Sequence, residues 1–106
     1  MLVSVSEIFE REHDWHERHA EVYGIFTYAL EDVTLRDADS GGKVLWVTFD
    51  PETTEIVGFE LKDGCSKTVV VDGYISIGRA GHFGMCNGEI RGVMRIISAK
   101  RYFQNG

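Results

Sequence analysis

The chain has 106 residues, 43% hydrophobic and 26% charged, with a formal net charge of -6. A core of that size can bury roughly two thirds of the unfolded chain's surface, so one domain over 1–106 fits and a second has no room. Ordinary residue usage excludes disordered and fibrous classes, and the longest apolar runs fall far short of the roughly 18 residues that span a bilayer.

The start of the chain lacks the basic lead, long apolar run and small-residue cleavage site of a secretory signal, so a cytoplasmic location is expected. Cys65 and Cys86 are far apart and form no Cys-x-x-Cys pattern, which argues for free thiols over a disulfide framework or zinc ribbon. Charge is uneven: residues 1–63 hold 15 acids and 5 bases, whereas residues 64–106 hold 2 acids and 6 bases. A long acidic part repels a polyanion at distance, which favours a protein partner over nucleic acid.

In chain order, Ser4 followed by Glu7 matches the reciprocal cap of a helix start, and Val5, Ile8 and Phe9 recur at helical spacing. A short amphipathic helix from Ser6 to about Asp14 is predicted. From Arg18, Ala20, Val22 and Gly24 alternate with His19, Glu21 and Tyr23, the period-two signature of a first strand. Val33 and Leu35 mark a second, and the run 37–42, rich in Asp, Ser and Gly, marks a turn. Val44 to Phe49 is the third strand, stopped by Asp50-Pro51.

Residues 51–66 support either a helical turn or an extra strand. Lys67 to Ile77 is a fourth strand with a bend expected at Gly73, and Gly78 to Gly84 is a glycine-rich loop. Glu89 to about Ala99 forms the fifth, with Ile90, Met94 and Ile96 placed on one side and Val93, Ile97 and Ala99 on the other. Arg101 to Gly106 reads as a frayed tail. The fold class is therefore mainly β, a five-stranded OB-type barrel with a short N-terminal α-helix, and a flat sandwich is the alternative.

The run Val3 to Phe9, then Trp15 and Ala20 to Gly24, with Val69 to Tyr74, Gly81 to Met85 and Gly88 to Ile90 later, resembles small uncharacterised bacterial OB-fold proteins. These carry an N-terminal helix and a Gly-His-x-Gly loop before the last strand. The resemblance spans most of the chain, is weaker between Pro51 and Lys67, and implies a fold without a reaction. Glu17 departs from it, standing where such proteins often have glycine before the first strand.

Chemistry-bearing groups are sparse. His13, His16 and His19 are three apart, which spreads them around a helix, so no metal site is expected. The Gly78–Gly84 run could cradle an anion beside Arg79, but a strand follows it where phosphate loops feed a helix, so turn geometry is the preferred reading. Cys86, His82 and Glu89 could assemble a nucleophile, yet nothing else supports catalysis; the acids at Glu31-Asp32 and Asp37/Asp39 suit turns.

Trp15 and Trp46 read as core residues. Tyr74, Phe83, Arg79, Arg91 and Arg95 would furnish a stacking surface with a cationic groove if they shared a face; the preferred reading has Phe83 plugging the barrel mouth and the arginines solvated. The expected function is a non-enzymatic module, without cofactor, that binds another protein, in the manner of an inhibitor or immunity protein. Its contacts would run through Tyr74, Arg79, His82, Phe83, Arg91 and Arg95. Single-stranded nucleic acid on the barrel face is the alternative.

Overall fold

In the computed structural model, residues 2–37 and 42–104 are described. The chain opens with a three-residue strand, β1 (Leu2–Ser4), which the sequence pattern did not reveal. Ser4 then caps α1 (Val5–Glu10): its hydroxyl accepts the Glu7 N–H at 3.1 Å, and the Glu7 carboxylate accepts the Ser4 N–H at 3.1 Å. Val5, Ile8 and Phe9 are buried.

The single helix expected to reach Asp14 breaks at Arg11 (φ -135, ψ 55) and resumes as α2 (Glu12–Trp15). Glu10 to Asp14 contains no apolar residue, so nothing holds a continuous helical face against the core.

The remaining elements are β2 (His19–Ala29), β3 (Asp32–Arg36), β4 (Leu45–Val47), β5 (Glu55–Val57), β6 (Cys65–Ala80), β7 (Cys86–Ser98) and α3 (Ala99–Gln104). β2 runs antiparallel to β3 and to β6, β3 to β4, and β6 to β7, while β4 and β7 are parallel. These five pairings close a ring. β1 adds in parallel to β2 and β5 to β7, so the undecided segment 51–66 supplies a short strand outside the ring. The turn expected at 37–42 falls largely on residues outside those described.

The ring interior is filled by residues the alternation selected, among them Phe26, Leu35, Leu45, Val71, Ile90 and Ile96, each buried. Gly24 admits α1 to this interior, because a Cβ there would meet the Arg36 carbonyl at 2.8 Å and a Val5 methyl at 3.1 Å. Further along β2, Phe26 gathers Tyr28, Phe49 and Phe59 at ring separations of 6.3, 6.0 and 6.5 Å. β4 is shorter than the predicted Val44 to Phe49; Phe49 leaves the ladder to join this cluster.

The bend at Gly73 is present, and it corrects the assignment of faces on the last strand. Asp72 pairs with Arg95 and Tyr74 with Arg91, so residues 92–94 of β7 stand opposite Gly73 alone. Gly92 takes φ 59, and the extra residues shift the alternation. Val93 therefore turns inward with Ile90 and Ile96, while Met94, expected beside them, is 68% exposed. As far as Gln104 the predicted frayed tail is also corrected, since α3 packs on β6 and β7 where Val70 and Ile97 are buried. The Tyr102 hydroxyl donates to Glu21 at 3.0 Å and Phe103 meets the edge of Tyr23.

Glu17 adopts φ 61, the left-handed region that favours glycine, while its side chain is 71% exposed. Its N–H donates to the Ile75 carbonyl, which fixes the backbone there. Glu17→Gly is therefore expected to stabilise the fold by about 0.5–1 kcal/mol, read from a urea midpoint, since relieving the strained conformation outweighs the added chain entropy. Phe26→Ala, which empties the aromatic cluster, is expected to cost about 3–5 kcal/mol in the same measurement.

Candidate functional site

The β6–β7 hairpin outgrows the ring. At its base Ile77 pairs with Gly88 and Ala80 with Cys86, so Gly78 and Arg79 stand opposite Asn87 as a bulge. This corrects the boundary of the predicted glycine-rich loop, whose first three residues belong to β6. Gly81 (φ 78) then lies against the Trp46 indole so closely that an added Cβ would come within 2.6 Å of it. Trp46 faces outward beside Thr34 of β3, so the hairpin tip lies across the outer face of β3 and β4.

At the tip, His82–Gly84 forms one 3-10 turn. Phe83 is held at φ 57 between Gly81 (φ 78) and Gly84 (φ 63). A bulky side chain in the left-handed region is an outlier, of the kind that costs about 1–3 kcal/mol and clusters at functional positions. Phe83 is 86% exposed and Met85 76%, which corrects the expectation that Phe83 plugs the mouth.

The β2–β3 turn meets this tip. His82 Nε2 lies 3.5 Å from a Glu31 carboxylate oxygen, and the His82 ring rests 4.1 Å from that of Phe83. Glu31 itself has φ 65, in the left-handed region that favours glycine, and its neighbour Leu30 is 85% exposed. The three most exposed large apolar side chains among the described residues thus sit on two turns that touch. Sequence reasoning found Phe83 and His82 but missed Leu30 and Met85; the available signal was a leucine in a tight polar turn, which has no core to enter.

The other residues proposed from sequence fall elsewhere. Tyr74 and Arg91 are cross-strand partners beside Glu17 and Gly92, roughly 20 Å from Ala80 at the rise of a strand. Arg95 lies opposite Asp72 and 3.9 Å from Glu21, so acids interrupt the cationic stripe. Arg79 lines a cavity with Phe83 and Met85. The six named residues therefore divide into a hairpin group (Arg79, His82, Phe83) and a sheet group (Tyr74, Arg91, Arg95).

The histidines of the N-terminal segment also diverge. His13 is near Asp14, His16 accepts the Ile77 N–H at 2.9 Å, and His19 pairs with Asp72 under the edge of Tyr74. Among the described residues no three His, Cys, Asp or Glu side chains gather as a metal set. Cys86, His82 and Glu89 turn to different neighbours: the Cys86 thiol packs under Gly81, and Glu89 accepts from Thr48. Burial pushes the Cys86 thiol above its ordinary pKa, Asp32 adds to this, and Arg36 opposes it.

Trp46 is half-buried on the outer face, so it is not the core residue the sequence suggested; Trp15 packs against the core as expected. Among the described residues no helix is long and apolar enough to cross a membrane. Comparison with protein-family models, curated proteins and solved structures finds no match.

A buried thiol held in its protonated form is a poor nucleophile. At pH 8, iodoacetamide should modify Cys65 first and reach Cys86 only on unfolding, as peptide mapping by mass spectrometry would show. Equal rates at both sites would refute this placement of Cys86.

Proposed function

We propose that the chain is a non-enzymatic binding module, built on a five-stranded OB-type barrel, that recognises another protein through the tip formed by Leu30, Phe83 and Met85. The barrel reading is supported by the ring order β2, β3, β4, β7, β6 and by its one parallel contact, between β4 and β7. The binding reading rests on one observation: three large apolar side chains stand 76–86% exposed on two touching turns, in which Phe83 and Glu31 hold left-handed backbone. Burying each in a partner would contribute about 1.5–3 kcal/mol, and an aromatic anchor is the usual centre of such a surface.

An inhibitor-like or immunity-type partner in the cytoplasm suits this geometry, because a rigid tip enters a partner's pocket with little further ordering. Against nucleic acid, the outward indole of Trp46 is covered by Gly81, and Arg95 sits between Glu21 and Asp72. Against catalysis, the one buried thiol is shifted toward its protonated form.

Immobilised protein should retain a protein from host lysate, and retention should fall about 30-fold or more in Phe83→Ser while circular dichroism stays that of the parent. Equal retention by both chains, or recovery of nucleic acid alone, counts against the reading. A mixed-sequence oligonucleotide at low salt should leave fluorescence anisotropy unchanged, since electrostatic affinity is greatest there.

A further inference from the structure

Beside the tip runs a groove that the exposed apolar residues do not account for. Two adjoining cavities, of about 290 and 520 Å³, share Glu12 and Ile77. Together they lead from His13 and His16 of α2, past Ile77, to Arg79, Met85 and Asn87 of the hairpin.

The floor of this groove is a strand edge that loses its neighbour. β2 pairs with β6 as far as His19 and Tyr74. The backbone of Glu17 and Arg18 carries the ladder on to Ile75. At Ile77 the imidazole of His16 accepts the N–H, standing where a strand would place a carbonyl oxygen. Beyond it, Gly78 to Ala80 run along that edge with no strand beside them among the described residues, and no heavy atom lies within 4 Å of the position a Cβ would take at Gly78. An edge of this kind receives an extended chain by strand addition, in which main-chain hydrogen bonds give affinity and side-chain contacts give selectivity.

Charge indicates what kind of chain. Glu12 and Lys43, on the opposite wall, pair at 3.6 Å, with the Lys43 ammonium also over the Phe9 ring. His13 lies near Asp14 and His16 near Glu17. Arg79 has no ion-pair partner among the described residues and is exposed. Among the described residues the groove thus presents one uncompensated positive charge, Arg79, between the apolar surfaces of Ile77 and Met85.

We propose that the groove receives an extended segment of the partner protein, laid along the edge of β6 past Ile77, with a carboxylate on Arg79 and a flanking apolar side chain against Ile77 and Met85. The proposal rests on the reading of the chain as a protein-binding module and specifies the chemistry that it recognises. An incoming carbonyl takes the Ile77 N–H from His16, and the carboxylate accepts from the guanidinium.

The probes are two blocked pentapeptides, acetyl-Leu-Glu-Val-Glu-Leu-amide and its counterpart with lysine for each glutamate, titrated into the nitrogen-labelled full chain and followed by amide NMR shifts. The acidic peptide should shift the amides of Ile77 to Ala80, Met85 and Asn87, and should bind about tenfold tighter than the basic one. Arg79→Glu should reverse that order. Equal affinity for the two peptides, shifts confined to other surfaces, or no shifts at all would overturn the proposal. So would groove amides that move with protein concentration in the absence of peptide, because the occupant would then be a second copy. If the peptides miss the groove while Phe83→Ser still releases a retained protein, this inference fails and the protein-binding reading survives.

Discussion

Closure of the ring depends on a contact only three residues long, the parallel pairing of Leu45–Val47 with Gly88–Ile90. Without it the five strands would form an open sheet, with β4 and β7 presenting unpaired edges and Leu45, Val47 and Ile90 facing water. So short a ladder holds because both sides of it are pinned. Leu45 and Val47 are buried inside, and on the outside Thr48 continues the join through its N–H to the Ile90 carbonyl and its hydroxyl to Glu89. Gly88 is needed at this point, since a Cβ would come within 3.0 Å of a Leu45 methyl and of the Ser76 carbonyl.

From that closure follows the position of the candidate site. The β6–β7 hairpin, once its base is held in the ring, continues past Gly88 and meets the outer face of β3 and β4, where Trp46 gives it a flat apolar surface. Gly81 makes the contact possible by carrying no side chain. The turn that follows then holds Phe83 and Met85 away from the body of the protein, and its backbone strain is offset by the packing beneath it. An isolated hairpin of this length would not maintain that conformation, because two strands alone are marginal in water.

The distribution of charge is likewise a product of the fold. The basic C-terminal part of the chain suggested a cationic stripe, but Arg95 meets Glu21 from β2 and stands across from Asp72, and α3 places Tyr102 on the same glutamate. An acid from each half of the chain, Glu21 and Asp72, is thereby set beside Arg95. Exposed pairs of this kind add little stability; their consequence is that this face carries charges of both signs side by side.

Local pattern by itself determined the five strands of the ring, which residues of β2 face inward, and the cap at which the first helix starts. Each of these follows from near neighbours: the alternation around Val22 and the Ser4 and Glu7 cap. It could not show β1 or β5, since three-residue strands carry no readable period and exist only because β2 and β7 offer them an edge. Nor could it place Met94, because the phase of β7 is reset by a bulge formed against Gly73, a residue 21 positions earlier in sequence. Leu30 joined Phe83 as a candidate only through the contact of His82 with Glu31. Tertiary structure decided these points for one physical reason: strand pairing brings together residues far apart along the chain, and the cost or benefit of exposing a side chain is set by what lies opposite it.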